Sequence, residues 1–465
     1  MNTRTTDAPR HAPHAPRLLV ITYYFDPDGP VGGLRWLGIT KYLARLGWKI
    51  SVVTAVPPTG RDAPNGPDVE LCLRLWTLSD GWRLLRRRAF RPALGGFPKP
   101  SRVGNPSARP GLLRLLGREV GAFLTFPDES RGWMLRAAAR TRSVMRRFRP
   151  HVVVSSGPPH SAHLVAALST IGSAVPWWID LRDPWAGPFT KIWESDRMLG
   201  SRLFRVVTPR LERRAFRAAK GIITNTRQLG DALAGRYPDM PVVCVPNGVD
   251  AERLPPPARD RYPGLGIAYA GWLYTGRDLG PVVQALRLFL ERYPEAAQTG
   301  AKLRVAGQAD AGHARAFYDA VGAAGMEQYV EVLGQLPRAE ALKLVSRSRL
   351  AVVLAQQQEL QIPAKLYESV AMGIPTLVVA PPDSAAGIEG ERVGAVVRDT
   401  ADVEGIACVL ERLWRDGSRE RPCPVPITYE AIAPLVDKIL QPVVHSNSVR
   451  DLGAEVTRSG PAVSS

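Results

Sequence analysis

The chain of 465 residues is poor in cysteine and has no long apolar run. Its four cysteines lie far apart, at Cys72, Cys244, Cys408 and Cys423, and no spacing between them suits a zinc site, a redox dithiol or a disulfide framework. No stretch approaches the roughly 18 continuous apolar residues of a membrane-spanning helix, and residues 1–16 lack the apolar core of a signal peptide. We therefore expect a cytoplasmic protein without structural disulfides.

Acidic residues are scarce relative to basic ones. The 61 lysines and arginines exceed the 43 aspartates and glutamates by a formal charge of +18, which favours anionic partners such as nucleic acid, anionic lipid or sugar nucleotides. Ten of the basic residues fall between Gly81 and Val120, where Glu119 is the only acid. This local excess predicts one basic surface rather than a uniformly basic protein.

Short apolar segments alternate with helical patterns along most of the chain. The sequence predicts a buried strand at 18–22, a helix at 34–46 and a second strand at 50–54. After a basic insertion the alternation continues to Pro246, and it restarts at Ile267. Strands separated by helices favour parallel sheets covered on both faces, so we predict two doubly wound α/β domains.

The boundary between these domains is predicted from turn residues. An Asn-Gly pair at 247–248 and three consecutive prolines at 255–257 favour a crossing between domains at 251–264. The rest of the predicted organisation is a disordered tail at 1–16, a first domain at 17–250 with the basic insertion at 81–120, a second domain at 265–427, a terminal helix at 428–442, and a disordered tail at 443–465.

Two segments of the second domain have the residues of an anion site. Open parallel sheets bind ligands beyond the carboxyl ends of their strands. There the loop from Gly271 to Asp278 would bring backbone N–H groups and the Arg277 guanidinium to one place, which suits a diphosphate; a glycine turn with a solvated arginine is the alternative. Lys365 and Glu368 share a face of a predicted helix and could grip a phosphate and ribose hydroxyls, or form an exposed ion pair.

In the first domain, two segments at strand ends compete to supply a polar catalytic group. One is SSGPPHSAH, with His160 and His163, and the other is WWIDLRDPW, with Asp180, Arg182 and Asp183. Asp183 could orient a hydroxyl group or accept its proton. Asp180 and Arg182 could instead form a buried structural pair.

Four segments, taken in order, resemble the group 1 glycosyltransferases. They are the Gly32–Gly33 loop, PNGVD at the domain crossing, the loop carrying Arg277, and KLYESVAMGIP at 365–375. The resemblance covers roughly residues 17–442. It implies a GT4-like retaining enzyme of the GT-B fold, in which two Rossmann-like domains face each other across a cleft. The implied activity is that of a hexosyltransferase-type enzyme (EC 2.4), which moves a sugar from a nucleoside-diphosphate sugar to a hydroxyl acceptor.

The resemblance also implies roles for individual residues. Arg277 would contact the donor phosphates, assisted by Lys365, and Glu368 would bind the ribose as the second glutamate of an E-x7-E pattern. Asp183, His160 and Arg182 are the catalytic candidates. The remaining donor-side candidates are Gly271, Trp272, Gly307, Ile362 and Leu366.

Three residues of the first domain complete the predicted site. Gly32 and Gly33 would let the backbone approach the donor phosphate, because no Cβ intervenes. Arg35, at the start of the following helix, is expected to point the same way. An ordinary flexible loop is the alternative for the glycine pair.

The chain departs from the family pattern at one position. Eight residues before Glu368, where the first glutamate should stand, the sequence has Leu360, with Glu359 one position away. The segment 358–361 and the backbone at 362–363 could replace that glutamate. The departure leaves the sugar undetermined by the sequence.

The predicted partners follow from the charge and the resemblance. We expect a nucleotide-sugar donor and a glycan, lipid-linked or small-molecule acceptor, with no bound cofactor and no nucleic acid, since no known nucleic-acid-binding motif occurs. Asp26-Pro27-Asp28 matches a D-x-D metal pattern. It lies in the acceptor-side domain, where positive side chains would stabilise the departing diphosphate instead, so we expect no metal.

A basic and apolar segment at 82–116 suggests contact with an anionic membrane at its inner face, although a solvated insertion would have the same composition. Two further functions remain open at this stage. One is a nucleotide-sugar epimerase of the same architecture, which would need no acceptor. The other is a basic binding protein that has lost catalysis.

Overall fold

The computed structural model describes residues 15–26, 31–55, 68–72, 112–187, 201–256, 258–416, 425 and 427–445. Nearly all of the two predicted tails lies outside these ranges. So do most of the basic segment at 82–116 and Asp28 of the D-x-D pattern.

The first domain contains a seven-stranded parallel sheet in the order β3-β2-β1-β4-β5-β6-β7. Its strands are almost wholly buried, because helices cover both faces. The strands are β1 (Arg17–Thr22), β2 (Lys49–Thr54), β3 (Asp68–Leu71), β4 (Val152–Gly157), β5 (Trp177–Leu181), β6 (Gly221–Thr224) and β7 (Val242–Cys244). The helices are α1 (Leu34–Arg45), α2 (Leu112–Thr125), α3 (Arg131–Phe148), α4 (Ser161–Thr170), α5 (Arg202–Ala218) and α6 (Arg227–Arg236).

The second domain contains a six-stranded parallel sheet in the order β10-β9-β8-β11-β12-β13. The strands are β8 (Gly266–Leu273), β9 (Lys302–Ala309), β10 (Val330–Gly334), β11 (Leu350–Leu354), β12 (Thr376–Val379) and β13 (Val396–Arg398). The helices of this domain are α7 (Gly280–Arg292), α8 (Pro294–Gln298), α9 (Ala311–Ala323), α10 (Arg338–Ser346), α11 (Ala364–Ala371), α12 (Ala385–Arg392) and α13 (Val403–Asp416). A last helix, α14 (Tyr429–His445), follows the second domain. The prediction of two doubly wound parallel-sheet domains is confirmed.

The last helix, α14, returns to the first domain. Its apolar residues join the buried cluster that α1 forms on one face of the first sheet. Gly38 of α1 makes this contact possible, because a Cβ there would lie only 2.0 Å from the ring of Tyr429. A parallel bridge between Val249 and Thr428 joins the two crossings of the chain. The domains are therefore connected by two adjacent strands of chain.

A buried ion pair fixes the carboxyl end of β5. Asp180 accepts hydrogen bonds from Arg35 Nε at 3.0 Å, Trp36 Nε1 at 2.8 Å and Ser156 Oγ at 2.7 Å. Arg35 also donates to Asn247 Oδ1 at 3.0 Å and to two backbone carbonyls at the start of the crossing. These contacts join α1, β4, β5 and the crossing.

This arrangement gives Arg35 a structural role and corrects one expectation. The Arg35 side chain is only 2% exposed and is held by Asp180, Asn247 and the backbone, although it also contributes to the wall of the cavity between the domains. The buried pair is Arg35 with Asp180, not Asp180 with Arg182. The sequence placed these residues at strand ends, but it did not show which partners they would meet.

The ion pair leads to a stability prediction. Asp180→Ala should lower the free energy of unfolding by about 3–5 kcal/mol, because it leaves the buried Arg35 guanidinium without a counter-charge. Urea unfolding followed by circular dichroism would measure this. The control is Arg45→Ala, which breaks an exposed pair with Glu252 and should change stability little. Equal effects of the two substitutions would contradict the structural role of Asp180.

Candidate active site

The carboxyl ends of the two sheets meet at a cavity of about 260 Å³ between the domains. Arg182 lines it from the first domain, Asn247 from the crossing, Arg338 and Glu368 from the second domain, and Tyr429 from α14. Ligand sites of doubly wound sheets are expected at such strand ends. Glu368, the acid predicted in the second domain, therefore faces the first domain across this cavity.

Glu368 lies on α11, a short helix with clear start and stop signals. Pro363 lies directly before the first residue of this helix. Gly373 lies just beyond its last turn with a φ of +69°, a left-handed conformation that favours glycine. The helix places Lys365 one turn before Glu368, and Lys365 Nζ lies 3.0 Å from the Glu368 carboxylate. The shared face predicted from the spacing is thus present, and the acid is buried rather than exposed.

A second cation holds the same carboxylate. Arg338, the first residue of α10, places Nη2 at 2.6 Å from Glu368 Oε1. Burial raises the pKa of Glu368, but the charges of Lys365 and Arg338 outweigh it and leave the pKa below its ordinary value. The sequence analysis missed Arg338. Its place just after β10, at a strand end of a parallel sheet, was the signal that could have found it.

Arg277 lies in the loop between β8 and α7 and has no carboxylate partner among the described residues. Its guanidinium carbon is 4.6 Å from the centre of the Tyr274 ring, and Nη2 is 3.5 Å from Gln358 Oε1. Its Nε is buried without a hydrogen-bond partner in the described structure. A buried donor without a partner is energetically costly. The Arg277 guanidinium can therefore bind an anionic ligand by donating hydrogen bonds to it.

The segment at the position of the missing glutamate supplies amides. Gln358 is buried, and its Nε2 donates to the Tyr274 hydroxyl at 2.8 Å while its Oε1 faces Arg277. Glu359, the displaced acid, is exposed, so it does not take over the position. A neutral side chain therefore stands beside Arg277.

The same segment contacts the first domain. The carbonyl oxygen of Leu360 accepts from Thr226 Oγ1 at 2.7 Å, and the Leu360 side chain packs against an apolar cluster of the first domain. Gln361 Nε2 donates to Asp183 Oδ1 at 2.6 Å. The two domains are thus joined next to Arg277.

Asp183 follows β5 and faces the second domain. Burial raises its pKa, and the charges of Arg182 and Arg277 and the hydrogen bond from Gln361 offset part of that effect. Its carboxylate is thus a weaker acid than an ordinary aspartate and lies within the electrostatic influence of Arg277. Raised carboxyl pKa values are typical of groups that accept a proton during catalysis.

His160 is turned into the first domain. Its ring stacks on Trp185, with centroids 5.3 Å apart, and its Nδ1 is buried without a partner in the described residues. Burial, His163 and Arg182 hold the pKa of His160 well below its usual range, so the imidazole is neutral at physiological pH. The ring of His160 contacts His163 and Trp185 of the first domain, whereas Asp183 accepts a hydrogen bond from Gln361 of the second domain, so Asp183 is the better placed of the two candidates.

Arg182, which lines the cavity, also fixes two loops. Its three nitrogens donate to the carbonyl oxygens of Gly157 at 2.9 Å, Gly32 at 2.6 Å and Pro158 at 2.8 Å. The glycine loop is thereby fixed to the end of β4. A Cβ on Gly33 would come within 3.2 Å of the Tyr24 backbone, so a larger residue would push this backbone away by a few tenths of an ångström.

The other predicted donor-side residues divide into two groups. Gly271 and Gly307 are paired at the ends of β8 and β9, and a Cβ on Gly307 would lie 1.7 Å from the Gly271 carbonyl oxygen. Trp272 is half exposed, and its Nε1 donates to Asp310 at 3.2 Å. The side chains of Ile362 and Leu366 belong to an apolar cluster instead. Because Leu366 is fully buried, its side chain does not contact the donor as the sequence predicted.

Solved structures with this architecture define the class. The chain is similar to sucrose-phosphate synthase from Thermosynechococcus elongatus, at 13% identity and a TM-score of 0.56, covering 92% of this chain and 98% of that one. It is similar to Anabaena HepE in complex with UDP-glucose, at 11% identity and a TM-score of 0.53, covering 95% and 98%. It is also similar to a UDP-forming α,α-trehalose-phosphate synthase from Burkholderia xenovorans, at 14% identity and a TM-score of 0.53, covering 96% and 99%. The fold is GT-B.

Family models then identify the family. The model described as Glycosyltransferase Family 4 matches residues 100–253, and the one described as Glycosyl transferases group 1 matches residues 271–416. Together they cover nearly two thirds of the chain. The protein belongs to the GT4-like group 1 glycosyltransferases. No curated protein matches the sequence.

The ion pairs of Glu368 predict a pH-dependent stability. Glu368→Gln should lower the free energy of unfolding at neutral pH by about 2 kcal/mol, because Arg338 and Lys365 lose their shared counter-charge. The pKa of Glu368 is lowered in the folded state, so its stabilising effect is present above the ordinary glutamate pKa and is lost as pH falls through the folded value.

Urea unfolding at several pH values would measure the gap between wild type and Glu368→Gln, which should close in acid. Glu404→Gln, which removes an exposed pair with Arg292, should cause almost no change at any pH. A gap that stays constant down to acidic pH would show that the charge of Glu368 is not what stabilises the site.

Proposed function

We propose that this protein transfers a sugar from a nucleoside-diphosphate sugar to a hydroxyl acceptor, with retention of anomeric configuration. One observation carries the proposal. Arg277, with an unpaired buried Nε and no carboxylate partner in the described structure, lies across the domain gap from Asp183. The family and the UDP-glucose complex of the HepE relative support a nucleotide-sugar donor.

The donor would be held by the second domain. Arg277 would bind the diphosphate, and Lys365 would assist at the adjacent wall. Glu368 would accept hydrogen bonds from the ribose hydroxyls, with Arg338 fixing its carboxylate. As the bond to the sugar breaks, negative charge develops on the leaving diphosphate, and fixed cations stabilise it without a metal or other cofactor.

The acceptor would be held by the first domain. The acceptor oxygen would bond to the anomeric carbon on the face from which the diphosphate leaves, so that one C–O bond replaces the other with retention. Asp183 would orient the acceptor hydroxyl and take up its proton, a role that suits its raised pKa. Gln361 would fix the orientation of Asp183. A glycan, a lipid-linked glycan and a small molecule all offer the hydroxyl group that this role requires.

The donor assignment predicts a specific change in thermal stability. A screen with UDP, GDP, ADP and TDP should find at least one that raises the melting temperature, because a ligand at a hundred times its Kd stabilises the native state by about 2.7 kcal/mol. Arg277→Ala should abolish the increase, since it removes the principal diphosphate contact. Lys365→Ala should weaken it.

Arg412→Ala is the matched control, because Arg412 is an exposed arginine of the same domain. It should leave the increase unchanged. If none of the nucleotides shifts the wild type, or if Arg277→Ala responds as the wild type does, the donor assignment is wrong.

The role of Asp183 predicts a kinetic result. Asp183→Asn should lower kcat by about 10²–10⁴-fold while leaving the nucleotide-induced thermal shift intact, because proton transfer is lost and donor binding is not. The base must be ionised, so the rate should fall as pH drops through its raised pKa. Gln361→Leu removes a hydrogen bond that lowers this pKa, and the acidic limb should move to higher pH.

Gln357→Leu, at an exposed amide of the same segment, should leave the pH profile unchanged. Turnover of the donor without any acceptor to an epimerised nucleotide sugar would favour an epimerase. Donor binding without turnover under any condition would favour a binding protein.

A further inference from the structure

Four exposed apolar side chains are grouped on three helices of the first domain. Val120 and Phe123 of α2, Leu135 of α3 and Val206 of α5 are 53–78% exposed. They are half of the eight large hydrophobic residues that the described structure leaves exposed. Single exposed apolar residues are normal, whereas several on neighbouring helices indicate a surface that binds something.

The three helices are joined to one another. The Glu119 carboxylate accepts from the backbone N–H of Arg202 at 3.1 Å, which ties α2 to the start of α5. Arg131 Nη1 donates to the Phe123 carbonyl at 3.0 Å, which ties α2 to the start of α3. We call the surface formed by the exposed residues of these helices the α2–α3–α5 face.

Two of the three helices, α3 and α5, expose charge of one sign, whereas Glu119 of α2 and the exposed Glu129 are the acids beside them. Helices α3 and α5 carry twelve arginines between them, and their one acid, Glu212, is fully buried and paired with Arg236. Arg136 and Arg205 are exposed close in sequence to Leu135 and Val206 respectively. Arginines that surround protruding apolar side chains match the interface of an anionic bilayer, where apolar groups enter between lipids and cations meet the phosphates.

We propose that the α2–α3–α5 face docks on an anionic phospholipid bilayer. Phe123 and Leu135 insert among the lipids, and Arg136 and Arg205 contact the headgroups. Binding is to the surface only, because no helix in the described ranges has the length and apolar character to cross a bilayer. The membrane contact predicted for residues 82–116 lies mostly outside the described ranges, and this proposal rests on residues from Val120 onward.

The face adjoins the acceptor side of the cleft. Asp128, between α2 and α3, accepts a hydrogen bond at 2.7 Å from the backbone N–H of Ser161, the residue after His160. A bilayer on this face would therefore lie against the first-domain wall. This makes a lipid-linked hydroxyl the expected acceptor class, a step that rests on the proposed function.

Vesicle co-sedimentation of the full chain tests the docking without donor or turnover. The wild type should bind vesicles of phosphatidylcholine with 30 mol% phosphatidylglycerol, bind pure phosphatidylcholine vesicles at least about tenfold less, and lose binding at high salt. Phe123→Ser with Leu135→Ser should weaken binding about tenfold or more, because two apolar side chains no longer enter the bilayer. Arg136→Glu with Arg205→Glu should weaken binding by a similar factor, because the two new carboxylates are repelled by the anionic headgroups.

The matched control is Ile388→Ser with Arg412→Glu, an exposed apolar residue and an exposed arginine of the second domain, which should bind like the wild type. Equal binding to neutral and anionic vesicles, no binding at all, or binding that none of the face substitutions weakens would overturn the proposal. So would a lowered melting temperature of the Phe123→Ser, Leu135→Ser protein, since it would show that the rest of the chain covers these residues.

A heparin column separates lipid docking from general polyanion binding. Retention by heparin that matches vesicle binding and is insensitive to the two serine substitutions would indicate a nucleic-acid or polyanion surface and overturn the proposal. Because the vesicle assay contains no nucleotide sugar, its failure leaves the donor assignment standing. Failure of the nucleotide screen likewise leaves the docking result standing.

Discussion

The buried ion pair between Arg35 and Asp180 positions the first-domain wall of the cleft. Asp180 is the fourth residue of β5, so fixing it fixes the chain that continues to Arg182 and Asp183. Arg182 then holds the glycine loop through Gly32, and Asp183 faces the second domain. A buried pair of this kind is weak as a source of net stability, but breaking it is costly, so it specifies one arrangement of the strand ends.

The segment around the departure from the family pattern brings an amide to Arg277. Leu360 stands where the first glutamate is expected, and Gln358, two residues earlier, faces the guanidinium. The amide donates to the Tyr274 hydroxyl and adds no negative charge beside the guanidinium. An anion at Arg277 would therefore meet a neutral side chain here and not a carboxylate.

The sequence predicted the fold and the pairing of Lys365 with Glu368, because both depend on local patterns. The periodicity of apolar residues and the positions of turn residues locate the strands. The spacing of Lys365 and Glu368 is enough to place them on one face of a helix. Long-range partners could not be predicted in this way. Arg35 was expected to reach a ligand and meets Asp180, 145 residues away, while Arg338 was missed because its partner Glu368 lies on another helix. Leu366 was assigned to the donor but is apolar core, since a short helix must also bury one face.

The segment from Gln358 to Gln361 links ligand recognition to domain contact. Gln358 faces Arg277, while Leu360 and Gln361 contact Thr226 and Asp183 of the first domain. An anion bound at Arg277 would act on the same few residues that join the domains, and Arg277 already influences the pKa of Asp183 across the gap. Charge placed between Arg277 and Asp183 must therefore alter both the ionisation of the aspartate and the contact that holds the cleft together.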